Sequence, residues 1–206
     1  MSLKKYCNVG CCVTGNGMRN IELKARLAER SVAESVCQSL EASYQGAIHQ
    51  IDTYFQTPQG RLKLREASPG ETELVYYERP DVAGPKGCDY QLETVSPSIK
   101  EMLRRALGVV TVVDKVRQLY LWQNVRIHLD EVRGLGSFIE FEAVLGGAYD
   151  EADGFEKLRF LIEAFQIDDD AHEEFSYLEL MRSEQGDDVT NRRGGVPISS
   201  ERERSV

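Results

Sequence analysis

Phe138-Ile139-Glu140-Phe141-Glu142-Ala143-Val144 alternates carboxylate with hydrocarbon, and Gly60-Arg61-Leu62-Lys63-Leu64-Arg65-Glu66 alternates cation with hydrocarbon. Side chains of an extended strand repeat every two residues, so each run sets its charges on one face and its apolar groups on the other. The same division recurs where Asn20, Glu22, Lys24 and Arg26 oppose Ile21, Leu23, Ala25 and Leu27. It recurs again where Arg126, His128 and Asp130 oppose Val125, Ile127 and Leu129, and in shorter form at Lys115 and Arg117. A sheet with one solvated face also alternates. Arg61, Lys63 and Arg65 nonetheless crowd like charges into one row, which costs stability without a counter-charge. Five such strands point to a bound polyanion with a divalent cation. Basic groups hold phosphate oxygens through charge-assisted bonds, and carboxylates hold a hard metal.

Eight strands can be read in the order 18 onward, 47–56, 61–66, 72–79, 86–94, 109–121, 124–132 and 137–145, separated by Pro/Gly turns. Helices are expected over 30–44, from Ser96-Pro97 to Gly108, over 150–165, and over 171–181. In the first, Val32, Val36 and Leu40 lie at helical spacing with Ala33 and Cys37 beside them; in the third, Phe155, Leu158, Ile162 and Phe165 make the apolar side. The expected fold is α+β: a closed antiparallel eight-stranded barrel with a charged interior and helices packed outside. Residues 1–17 read as a flexible leader, 18–182 as the domain, and 183–206, polar and without an aromatic residue, as a disordered tail.

Composition narrows the partners. The formal charge of −9 argues against duplex nucleic acid, which selects a basic surface. No apolar run reaches the roughly 20 residues of a membrane span, and no secretory signal is visible, so a cytoplasmic protein with no membrane partner is expected. Five cysteines with no CxxC pair argue against a disulfide framework.

The residues resemble the CYTH domain, named for class IV adenylyl cyclases and thiamine triphosphatases, whose fold is a triphosphate tunnel. The family's E-x-E-x-K hallmark aligns with Asn20-Ile21-Glu22-Leu23-Lys24. The likeness continues through DTYFQTPQGRLKLRE, YYERPDVAGPKGCDY, VDKVRQLYLWQNVRIHLDEV and LGSFIEFEAVL, spanning roughly residues 18–181. It implies that Lys24, Arg61, Lys63, Arg65, Arg79, Lys115, Arg117 and Arg126 bind the triphosphate, with Lys24, Lys63, Arg65, Lys115 and Arg126 catalytic. It implies Mg²⁺ or Mn²⁺ on Glu22, Glu140 and Glu142, with Asp130 as a helper. His128 shares their face and reads as a structural hydrogen-bonding group. Asn20 departs from the hallmark, replacing a carboxylate with a weaker neutral ligand and putting a second metal ion in doubt.

Three activities follow from the resemblance: an adenylyl cyclase-like reaction converting ATP to cyclic AMP and pyrophosphate, an inorganic or organic triphosphatase, and a non-catalytic polyphosphate- or nucleotide-binding module. The cyclase leads, because it needs no activated water and so tolerates Asn20. The partner expected is a nucleoside triphosphate or an inorganic or organic triphosphate, with a homodimer as the form of self-association.

Overall fold

The computed structural model describes residues 18–184 and 186. The leader expected over 1–17 and nearly all of the tail expected over 183–206 lie outside the described residues. Eight strands form: β1 (Met18–Arg26), β2 (Ser43–Phe55), β3 (Arg61–Ser68), β4 (Thr72–Glu78), β5 (Lys86–Thr94), β6 (Val109–Trp122), β7 (Val125–Val132) and β8 (Gly136–Val144). They close into a barrel in the order β1-β5-β4-β3-β2-β6-β7-β8, every pair antiparallel, with β8 returning to β1. Closure removes the exposed strand edges that an open sheet leaves. It also gives the alternating strands an inside and an outside.

The apolar partners of the charged residues face outward. Ile21, Leu23, Ile127, Leu129, Ile139 and Phe141 are essentially fully buried, in one cluster with residues of α1 (Arg30–Ser39) and α3 (Glu151–Ala164). α3 sits so close to β1 that a Cβ on Gly154 would meet Ile21 Cγ1 at 2.9 Å. Asp150 caps that helix by accepting from the Asp153 amide while Asp153 accepts from the Asp150 amide. α2 (Ile99–Leu107) buries no residue and ties to the barrel through Lys100 and Glu66 at 2.5 Å. No helix among the described residues is long and apolar enough to cross a membrane.

Several local expectations shift. α1 stops at Ser39, five residues short of the expected end, because Glu41 turns the backbone to φ 55° and Tyr44 joins β2. Its buried side is Ala33 and Cys37, while Val32 is 59% exposed. In α3 the expected Leu158 is buried and Ile162 and Phe165 pack against the same cluster, Gly154 and Leu161 join them, and Phe155 is 36% exposed. The helix expected over 171–181 splits into a 3₁₀ turn (Asp169–Ala171) and α4 (Tyr177–Glu184).

That last helix is also placed differently from the others. Tyr177, Leu178 and Leu180 pack with Tyr54, Val75, Tyr77, Val113, Val132 and Phe138, which face the barrel interior. The lumen is therefore charged over only part of its length. Tyr54, Val75, Tyr77 and Tyr177 line it beside the cations.

Candidate functional site

The charged part of the lumen holds a cavity of about 120 Å³. Lys24, Lys63, Arg65, Arg79, Lys115, Arg117 and Arg126 line it, together with Glu22, Glu140 and Glu142. Of the eight cations expected to bind triphosphate, Arg61 alone lies off that lining. Its guanidinium is taken by Glu179 of α4 at 3.0 Å and by Asp81. Strand register explains the grouping. Arg126 stands opposite Glu142 and His128 opposite Glu140 across β7 and β8, while Glu142 faces Glu22 and Glu140 faces Lys24 across β8 and β1.

Each cation in this wall has an anionic partner. Glu140 accepts from Lys24 Nζ at 3.0 Å on one oxygen and from Arg117 on the other. Glu142 pairs with Arg126 at 3.2 Å, and Glu22 with Arg79 at 3.3 Å. Burial opposes charge on Glu140, yet Lys24 and Arg117 hold its carboxyl well below the usual range. Burial also works against Glu142, which is held low by His128 and Arg126. Glu22 goes the other way: burial, reinforced by Glu142 and Glu140, raises it against the pull of Arg79.

Two aspartates organise the remaining cations. Asp130 is fully buried and accepts from Lys115 Nζ at 3.1 Å, Arg117 Nε at 2.6 Å and the Tyr177 hydroxyl at 2.9 Å. Those three donors occupy it, and it lies outside the donor group formed by His128, Glu140 and Glu142. Asp52 on β2, also fully buried, accepts from Lys63 Nζ at 2.8 Å and from Arg65 Nε at 2.9 Å. It is the counter-charge of Lys63 and Arg65, the two cations of the row that Glu179 and Asp81 do not hold. Burial and the neighbouring Arg65 still depress the Lys63 ammonium, to about 7, despite Asp52.

Sequence reasoning missed Asp52, Lys86, Tyr177 and Glu179. Asp52 sits at the right parity in Gln50-Ile51-Asp52-Thr53-Tyr54, but a single acidic residue in a mostly neutral strand carries no pattern. Lys86 Nζ bonds the Glu174 carbonyl at 3.1 Å, fastening the segment that leads into α4. Tyr177 places its ring 3.8 Å from Lys24 Nζ and 4.8 Å from Lys115 Nζ. Ser176-x-x-Glu179 has the spacing of a capping box, and Ser176 donates to Glu179 from both its amide and its hydroxyl. Nothing in it foretold that α4 would enter the lumen.

The donor set suits a divalent ion. One ligand atom from each of His128, Glu140 and Glu142 lies within 4.8 Å of the others. Two nearby atoms are buried with no hydrogen-bond partner, His128 Nδ1 and Asn20 Oδ1. Buried polar atoms without a protein partner are few in folded proteins, and a bound water, an ion or a functional constraint accounts for them.

A barrel built this way matches one sequence family: the CYTH domain model covers residues 18–177. The chain belongs to the CYTH family. Similar solved structures include the PH1012 protein of Pyrococcus horikoshii OT3, at 24% identity and TM-score 0.69, covering 78% of this chain and 98% of that one. A candidate adenylate cyclase from Vibrio parahaemolyticus has 23% identity and TM-score 0.66 over 81% of this chain and 99% of that one. HpAC1 of Hippeastrum, described as a candidate adenylyl cyclase with dominant triphosphatase activity, has 17% identity and TM-score 0.56 over 82% and 96%. At these identities the likeness is one of fold. No curated protein sequence matches the chain.

Proposed function

We propose that this CYTH protein is a metal-dependent enzyme that acts on the triphosphate of a nucleotide, in the manner of a class IV adenylyl cyclase converting ATP to cyclic AMP and pyrophosphate. The observation that carries this reading is the interior of the barrel, where cations and carboxylates share one wall in register. Lys24, Lys63, Arg65, Arg79, Lys115, Arg117 and Arg126 bind the phosphate oxygens, and Glu22, Glu140 and Glu142 are the carboxylates available to Mg²⁺ or Mn²⁺. Such an ion supplies charge neutralisation on the phosphates when bound.

In this reaction the ribose 3′-hydroxyl attacks the α-phosphorus in line, and pyrophosphate leaves. Phosphoryl transfer of this kind depends chiefly on positioning and on charge aimed at the phosphate oxygens. The row of cations provides both, because Asp52 and Asp130 fix their heads at known places. The intramolecular nucleophile needs no second ion to activate a water, which accords with Asn20 at the first hallmark position.

A second reading is a triphosphatase, in which water attacks the terminal phosphorus. It is favoured by the triphosphatase activity of the HpAC1 relative. Incubating purified protein with ATP and, separately, with tripolyphosphate in Mg²⁺ or Mn²⁺, and resolving products by phosphorus NMR, decides between them. Cyclic AMP with pyrophosphate supports the cyclase, orthophosphate supports the hydrolase, and binding without turnover rejects both.

A further inference from the structure

We propose that His128, through Nδ1, is a nitrogen ligand of the divalent ion held by Glu140 and Glu142, giving this site a preference for Mn²⁺ over Mg²⁺. The inference rests on the triphosphate-and-metal reading of the tunnel and adds to it a residue and a selectivity. His128 is 4% exposed, and its Nδ1 has no hydrogen-bond partner. That atom stands 3.6 Å from Glu142 Oε1 and 3.8 Å from Glu140 Oε2. Both separations exceed the roughly 3.2 Å limit of a good N–H···O bond. They are close to the edge of a coordination polyhedron, since two donors each about 2.1 Å from one ion lie about 3 to 3.5 Å apart.

Strand geometry fixes this arrangement. His128 and Glu140 are directly paired across β7 and β8, and Glu142 is the next lumen-facing residue on β8. The ring is carried on a strand whose opposite face, Ile127 and Leu129, is fully buried under helices. Its position is therefore as rigid as the core beneath it. Mg²⁺ takes oxygen ligands and dehydrates reluctantly, whereas a nitrogen-containing site gains affinity along the first-row transition series that begins with Mn²⁺. The neutral Asn20 in place of a carboxylate weakens the all-oxygen alternative further.

Mn²⁺ electron paramagnetic resonance with electron spin echo modulation tests this on the full chain, free of any histidine tag, using MnCl₂ as the probe, alone and then with tripolyphosphate added. Nitrogen modulation is expected in the wild type and is expected to vanish in His128→Gln, whose fold is checked by circular dichroism. Competition titrations should show Mn²⁺ affinity falling at least about tenfold in His128→Gln, the loss that even an outer-shell partner commonly brings. Mg²⁺ affinity should change much less. Mn²⁺ bound in a manner that Glu140→Ala weakens, yet with no nitrogen modulation in the wild type, overturns the His128 assignment and leaves the carboxylate site standing. Absence of Mn²⁺ binding both with MnCl₂ alone and with tripolyphosphate added overturns both. The wild-type spectrum decides the matter even where the variant does not fold.

Discussion

Replacing Asp52 by Asn removes the one charge that Lys63 and Arg65 share, while keeping the size of the side chain and one acceptor oxygen. Asp52 is 0% exposed, with Lys63 Nζ at 2.8 Å and Arg65 Nε at 2.9 Å. Breaking a buried ion pair by removing one partner costs about 3–5 kcal/mol. The retained acceptor puts this change near the lower limit, about 3 kcal/mol, and at about 2–4 °C per kcal/mol the melting temperature falls by about 6–12 °C. The loss depends on pH. Lys63 has its folded pKa at about 7, below its ordinary 10.5, so between those values the unfolded chain carries the extra proton and wild-type stability rises with pH. At pH 6 both Lys63 and Arg65 lose their partner in Asp52→Asn; at pH 9 Lys63 is already neutral, and only Arg65 does. Scanning calorimetry without ligand should therefore record a larger fall at pH 6 than at pH 9. No fall at pH 6, or the same fall at both, would refute the view that Asp52 is the counter-charge of Lys63 and Arg65.

The other expectations concern binding, metal and core. Tripolyphosphate affinity should weaken by up to about tenfold as pH rises from 7 to 9, because the empty tunnel releases the Lys63 proton and a charge-assisted bond is lost. Calorimetric titration of Lys63→Arg should show a flatter profile, and equal slopes would remove Lys63 as the cause. Glu140→Ala or Glu142→Ala should abolish metal-dependent turnover with the circular dichroism spectrum retained; unchanged turnover would count against metal ligation. Gly154→Val should cost about 1–3 kcal/mol by overpacking against Ile21 and Leu145, and an equal or higher melting temperature would show that α3 can move off the barrel.

How much of this the sequence discloses depends on the range over which each signal acts. The charged faces of β1, β3, β7 and β8 were legible because a period of two is local, and closure is one way for eight antiparallel strands to hide their edges. The ends of helices were read less well. Val32, Val36 and Leu40 satisfy a helical stripe as well as Ala33 and Cys37 do, and only contact with the barrel buries Ala33 and Cys37, with Leu40 packed beside them, and leaves Val32 exposed. Asp52 and Tyr177 were invisible for a further reason: each acts on residues far away in the chain, Asp52 on Lys63 and Arg65 of the next strand and Tyr177 on Asp130 from 47 residues away. Asp130 shows the limit from the other side. Its parity placed it correctly in the lumen, but parity cannot report that Lys115, Arg117 and Tyr177 claim its oxygens.

The electrostatics of the empty tunnel bear on how it fills. Lys24 and Arg117 neutralise Glu140, Arg126 neutralises Glu142, and Arg79 faces Glu22, so the groups proposed for phosphate and those proposed for metal are paired with each other. A metal ion arriving alone must displace cations that then have no partner in a buried wall, and a polyphosphate arriving alone leaves carboxylates equally stranded. Either half-exchange exposes an uncompensated buried charge, the costly situation for an ion pair in a protein interior. When both arrive, each cation trades a carboxylate for a phosphate oxygen and each carboxylate trades a cation for the metal, and the count of compensated charges is preserved. On the proposed reading, the register of β7, β8 and β1, which sets carboxylates beside cations, couples the loading of metal to that of triphosphate.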